Sequence, residues 1–210
     1  MMNQNSIDMA VRRLHWFAHG LDMDGTRGFR SNLNNVGQLF PEVTLQMVHV
    51  AFDYGLVPFV LVDDGGESAF AEVEVKWANN EPIPIWSGES DGTIWGSRLT
   101  NWLFRVWHDS IHCKESVGFG LGGEIDAAVH HMTQATAAGY PELAAVCWLE
   151  VAGQAAWHHA NGGVDFPPQS FTRSELDRMG LNRVGWRDIE GDDLKTYGET
   201  GALPFDGYKV

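Results

Sequence analysis

The stretch from Ser97 to His159 constrains the fold most, because it carries three consecutive runs with helical spacing and few residues that would interrupt them. The runs cover about Ser97 to Cys113, Gly123 to Ala138 and Pro141 to His159, each close to the usual helix length or longer. Pro141 suits the first turn of the third run, and Glu142 complements its dipole. Gly162 and Gly163, then Pro167 and Pro168, end the helical region.

The flanking segments are less regular. Ile7, Ala10, Val11, Leu14 and Phe17 fall on one face of a short helix over Ser6 to His19, and the Gly-, Asn- and Asp-rich run from Asp22 to Asn35 reads as a long loop. Glu42 to Tyr54 fits both periods, with helix the favoured reading. Val57 to Val62 reads as a buried strand, followed by a turn at Asp63-Asp64-Gly65-Gly66. Val73, Val75 and Trp77 then alternate with Glu72, Glu74 and Lys76, which predicts the second arm of an antiparallel hairpin. Pro82 and Pro84 permit an edge segment around Ile83 to Trp86. Thr172-Arg173-Ser174-Glu175 has the form of a capping box opening one more short helix, and the tail from Gly191 is loop-like. The expectation is a single α+β domain over 1–210, mainly α-helical. It comprises an N-terminal helix and loop (1–56), a β-hairpin region (57–94), a helical metal-site core (95–165) and a C-terminal helix and tail (166–210).

Composition narrows the function. With 44% hydrophobic and 20% charged residues the chain can bury a core, and no apolar run approaches the ~20 residues of a bilayer span. The first ten residues lack the basic region and apolar core of a secretory signal, so a cytoplasmic location is expected. Twenty-eight acidic against 14 basic residues give a formal net charge of -14, which repels phosphate backbones and argues against general nucleic-acid binding. A small-molecule substrate is expected instead. Trp186 and Phe205 suit either a pocket cap or a contact with another subunit, so homo-oligomerisation stays open.

Six of the nine histidines lie on the three helical runs. His108 and His112 are one turn apart on one face, the spacing at which two imidazoles reach one ion, and Arg105 shares that face. Glu124 and His131 share a face of the second run. Glu150, Gln154 and His158 recur at fours on the third, with Glu150 among apolar neighbours where an unpaired charge is costly. The expected metal ligands are His108, Asp109, His112, Glu124, Glu150 and His158, a mixed imidazole and carboxylate set suited to zinc first, then manganese or iron. Four glycines in Ser116 to Gly123 expose N–H groups ahead of a helix, so Gly120, Gly122 and Gly123, with Lys114, are expected to hold a substrate phosphate. Arg105, Asp109 and Glu150 are the candidate catalytic groups. His15 and His19 share the spacing of four but have no carboxylate between them.

His108-Asp109, followed by His112 and then Gly123-Glu124, resembles the central portion of the HD-domain phosphohydrolases, helical enzymes whose His-Asp pair binds metal. The resemblance implies a metal-dependent phosphohydrolase with Asp109 as a ligand. His108-Asp109-Ser110-Ile111-His112 is also similar to the zincin His-Glu-x-x-His motif with Asp in place of Glu, which implies a peptidase with Glu124 or Glu150 as third ligand. Asp22-Met23-Asp24-Gly25-Thr26 resembles the nucleophile motif of haloacid-dehalogenase-like phosphatases but follows a helix rather than ending a strand. The expected function is a divalent-metal-dependent hydrolase of a small phosphorylated metabolite or nucleotide. The alternatives are a di-iron or di-manganese carboxylate oxidase, a zincin-like peptidase and a non-enzymatic interaction protein.

Overall fold

The computed structural model describes residues 12–13, 41–63, 70–90, 93–162 and Thr172. The expected helix over 6–19 lies outside them except for Arg12 and Arg13, which are helical. The loop at 22–35, the capping box beyond Thr172 and the C-terminal tail also lie outside. The chain divides into two compact units, Met1–Glu115 and Ser116–Val210.

In the first unit the described elements run α1 (Pro41–Tyr54), β1 (Phe59–Val62), α2 (Phe70–Ala78), β2 (Ile83–Trp86) and α3 (Arg98–Glu115). The segment 42–54 is helical as expected, and it packs on α3. The antiparallel hairpin is overturned. Residues 70–78 form a helix, and β1 pairs with β2 in parallel, with Phe59 opposite Ile83 and Val62 opposite Trp86. Alternation at Val73, Val75 and Trp77 misled because only Val73 enters the core, while Val75 is exposed. Ala71, Glu72, Glu74, Lys76 and Ala78 are mostly strong helix formers, and Glu72 and Lys76 sit at the ends of the helix that suit their charges. A crossover helix is also what a parallel pair requires, since a tight turn joins antiparallel strands only. The helix stops in a Schellman arrangement: Glu81 N donates to Lys76 O, Asn80 N donates to Trp77 O, and Asn80 takes the left-handed conformation at φ 56°.

Helix α3 is the axis of this unit. Leu99, Trp102, Leu103, Val106, Trp107 and Ile111 recur at threes and fours and are buried. Its start is capped reciprocally. Thr100 N donates to Ser97 Oγ at 3.2 Å, and Ser97 N donates to Thr100 Oγ1 at 3.1 Å, while the Thr100 hydroxyl also reaches Trp95 O. Asn101 Nδ2 then donates to Ser90 Oγ, and Trp102 Nε1 to Ser87 O, fixing the loop after β2. Toward the other end, Ser110 Oγ accepts from Val57 N at 3.0 Å and holds the entry to β1.

In the second unit α4 (Leu121–Ala137) packs on α5 (Pro141–Trp148) and on a π-helical turn, Leu149–Gly153, that leads into α6 (Gln154–Ala160). Ala127, Ala128, Ala135, Ala144 and Ala145 are buried, and their small side chains let backbones approach closely. Gly139, at φ 81°, closes α4. The third expected run is therefore helical throughout, but widened by one π turn in its middle. No described helix is long and apolar enough to cross a membrane.

Ser97→Ala is expected to lower stability by about 1 kcal/mol, a loss of a few degrees in Tm, through the lost cap. A thermal melt of the variant checks this; an unchanged Tm would mean that the bond from Thr100 N to Ser97 Oγ adds nothing to the start of α3.

Candidate metal site

His108 and His112 project from one face of α3, one turn apart. Their Nε2 atoms are 3.0 Å from each other and the rings meet edge to face, with centroids 4.5 Å apart. His112 is fully buried, whereas His108 is partly exposed, and Phe104, one turn earlier, stacks on the His108 ring. Two imidazole nitrogens on one tetrahedral ion with bonds near 2.0–2.1 Å would stand about 3.3 Å apart, so the pair is already close to the spacing of co-ligands.

Within this unit, His108 and His112 each offer one ring nitrogen, and the pair could hold a metal ion. Imidazole is a borderline donor suited to a first-row divalent metal. Asp109, Glu150 and His158 belong to no group of three or more such side chains among the described residues.

Glu124 follows the expected glycine loop. Its backbone N–H donates to Gly120 O at 2.9 Å in the first turn of α4. A Cβ added at Gly120 or Gly122 would meet open space, whereas one at Gly123 would collide with the Gly118 backbone. The close approach, rather than a special backbone angle, demands glycine at 123.

The expected cations have other partners. Arg105 Nη1 donates to Trp86 O at 2.6 Å and to Gly88 O at 2.7 Å, and its guanidinium lies 5.1 Å from the centroid of the Trp86 ring. Burial pushes its pKa down, offset in part by Asp109 and Glu89. Lys114 Nζ donates to Tyr54 O at 3.1 Å and Gly55 O at 2.5 Å, and lies over the Tyr54 ring. Cys113, beside His112, is buried, and burial chiefly, with Asp109, pushes its thiol up to about 12, which makes it a poor thiolate.

Glu150 sits in the π turn, half-buried, and accepts hydrogen bonds from Thr172 Oγ1 and from Gln154. Burial pushes its carboxyl up to about 7, and these two bonds work in the opposite direction. Gln154 remains beside Glu150 across the π turn, which rotates every later side chain by about one residue's rotation, roughly 100°, relative to an unbroken α-helix. Thr172 was not foreseen as a partner. It lies 22 positions from Glu150, and no periodicity links the two. Phe104 over His108 was legible in principle, since residues four apart share a helix face.

Comparison of the chain with protein-family models, with curated proteins and with solved structures finds no match.

The raised acid pKa has a definite sign. The folded protein holds the Glu150 proton more tightly than the unfolded chain, so stability is greatest below the ordinary value near 4.5 and falls as pH rises through about 7. Denaturant melts from about pH 5 to about pH 8 are expected to show a loss on the order of 2–3 kcal/mol, absent in Glu150→Gln. Gly123→Ala, in turn, is expected to displace the first turn of α4 and weaken metal binding at least about tenfold while helical circular dichroism is retained. Unchanged metal affinity would remove Glu124 from the ligand set.

Proposed function

We propose that this protein is a divalent-metal-dependent hydrolase of a small phosphorylated metabolite or nucleotide, with its ion on His108, His112 and Glu124. The observation that carries the proposal is the pair of Nε2 atoms 3.0 Å apart on α3. Three protein ligands are the number found in catalytic zinc sites, which keep a further position for water or substrate, whereas structural zinc sites are closed by four. A metal in such a site lowers the pKa of bound water and polarises a substrate oxygen. Asp109 follows His108 directly, as in the HD-domain phosphohydrolases that the motif resembles, and serves as an outer base or a further ligand. The backbone N–H groups at the start of α4 support the phosphate. Zinc is the proposed metal, with manganese or iron suited by the same donors.

A second reading rests on the same distance. A neutral imidazole donating to its neighbour also gives 3.0 Å between nitrogens, and a fully buried His112 needs such a partner even without a metal. On that reading the histidines stabilise packing and the protein is not an enzyme.

Elemental mass spectrometry of the untagged protein, beside a His108→Ala, His112→Ala variant shown to be folded, separates the two. One ion per chain is expected, bound at least about a hundredfold more weakly in the variant, with parallel loss of phosphate-ester hydrolysis. No ion in either protein after reconstitution with zinc, manganese or iron would leave the packing role.

A further inference from the structure

The two histidines of α3 are not held equally. His112 is fully buried and takes its orientation from the core around it, whereas His108 is partly exposed, and an imidazole at the surface has several staggered orientations open to it. Few of these aim Nε2 at His112 Nε2, 3.0 Å away. A column of aromatic side chains in the same unit supports that orientation. Trp95 stacks on Phe104 with centroids 4.5 Å apart and planes inclined by 30°, and Phe104 stacks in turn on His108 at 6.3 Å and 20°. Trp107 closes the side of Phe104 edge to face at 6.2 Å, and all three of these aromatic residues are buried. The column is anchored at its far end, because the Thr100 hydroxyl donates to Trp95 O at 2.6 Å while Thr100 N is bonded to Ser97 at the start of α3. Phe104, His108 and His112 follow one another at fours, so the ring and the two ligands share one helix face.

Resting on the metal reading above, we infer that Phe104 is a positioning residue for the ion: its ring, clamped by Trp95 and Trp107, sets the plane of the His108 imidazole and so prearranges the ligand pair. The His108 side chain is then ordered when the chain folds rather than when the ion arrives, and the ion binds more tightly by that difference. Groups that orient a metal ligand by hydrogen bonding are worth about 10–100-fold in metal affinity. A stacked ring, which leaves the imidazole nitrogens free for the ion and for His112, is expected near the lower end of that range.

The test loads metal-depleted full-length protein with cobalt(II), whose visible bands report its ligands and their geometry, and compares Phe104→Leu with Phe104→Tyr. Leucine keeps an apolar side chain and removes the ring; tyrosine keeps the ring. Phe104→Leu, shown by circular dichroism to be folded, is expected to bind cobalt about tenfold more weakly and with altered bands, and Phe104→Tyr to retain the native affinity and bands. Native affinity and bands in Phe104→Leu would overturn the inference. Equal weakening in both variants would overturn it too, since the loss would then follow packing and not the ring. The native protein supplies a measurement that needs neither variant to fold: nuclear Overhauser contacts between the Phe104 and His108 rings are expected to persist when zinc is added, and their loss on loading would refute the positioning role. If the native protein gives no cobalt bands that the His108→Ala, His112→Ala variant lacks, the metal reading itself fails and takes the inference with it.

Discussion

Helix α3 can be buried only because each polar group it takes inside finds a partner. Thr100, Asn101, Ser110 and His112 are all buried, and a buried polar atom left alone costs on the order of 1–3 kcal/mol. Thr100 answers Ser97 and Trp95, Asn101 answers Ser90, Ser110 answers Val57, and His112 answers His108. The first three of these tie α3 to the segments around it and so help to position the parallel strand pair. The fourth joins two side chains of α3 itself, and both are groups that could hold a metal ion.

The cations of the same helix are committed to the fold. Arg105 and Lys114 bind carbonyls at opposite ends of α3 and stack on Trp86 and Tyr54, so the positive charges nearest the histidines along the chain serve architecture. Glu150 presents the converse case. It is a carboxyl in a half-buried setting that favours the proton, with Thr172 and Gln154 as hydrogen-bond partners.

Much of this was legible in the residues themselves. Local periodicity revealed the helices at 98–115 and 121–137, and a spacing of four put two imidazoles on one face. The helical pattern is redundant over five turns, whereas the strand pattern at Val73, Val75 and Trp77 rested on three positions that a short amphipathic helix satisfies equally well. The parallel pairing was hidden because register depends on partners far apart in the chain. Ile83 and Phe59 carry no local sign of each other. The turn at Leu149–Gly153 was not legible, because a π turn leaves no distinct signature in composition.

The π turn also bears on how this chain is to be compared with others. A segment of five residues, Leu149–Gly153, does the work that an α-helix does with about one fewer, so Pro141–Ala160 holds a residue that its own length does not reveal. An unbroken α-helix in a homologous protein would superpose on α5, or on α6 after an offset of one position, but not on both. An ungapped alignment through this region would pair Trp157 and His158 with structurally non-equivalent neighbours.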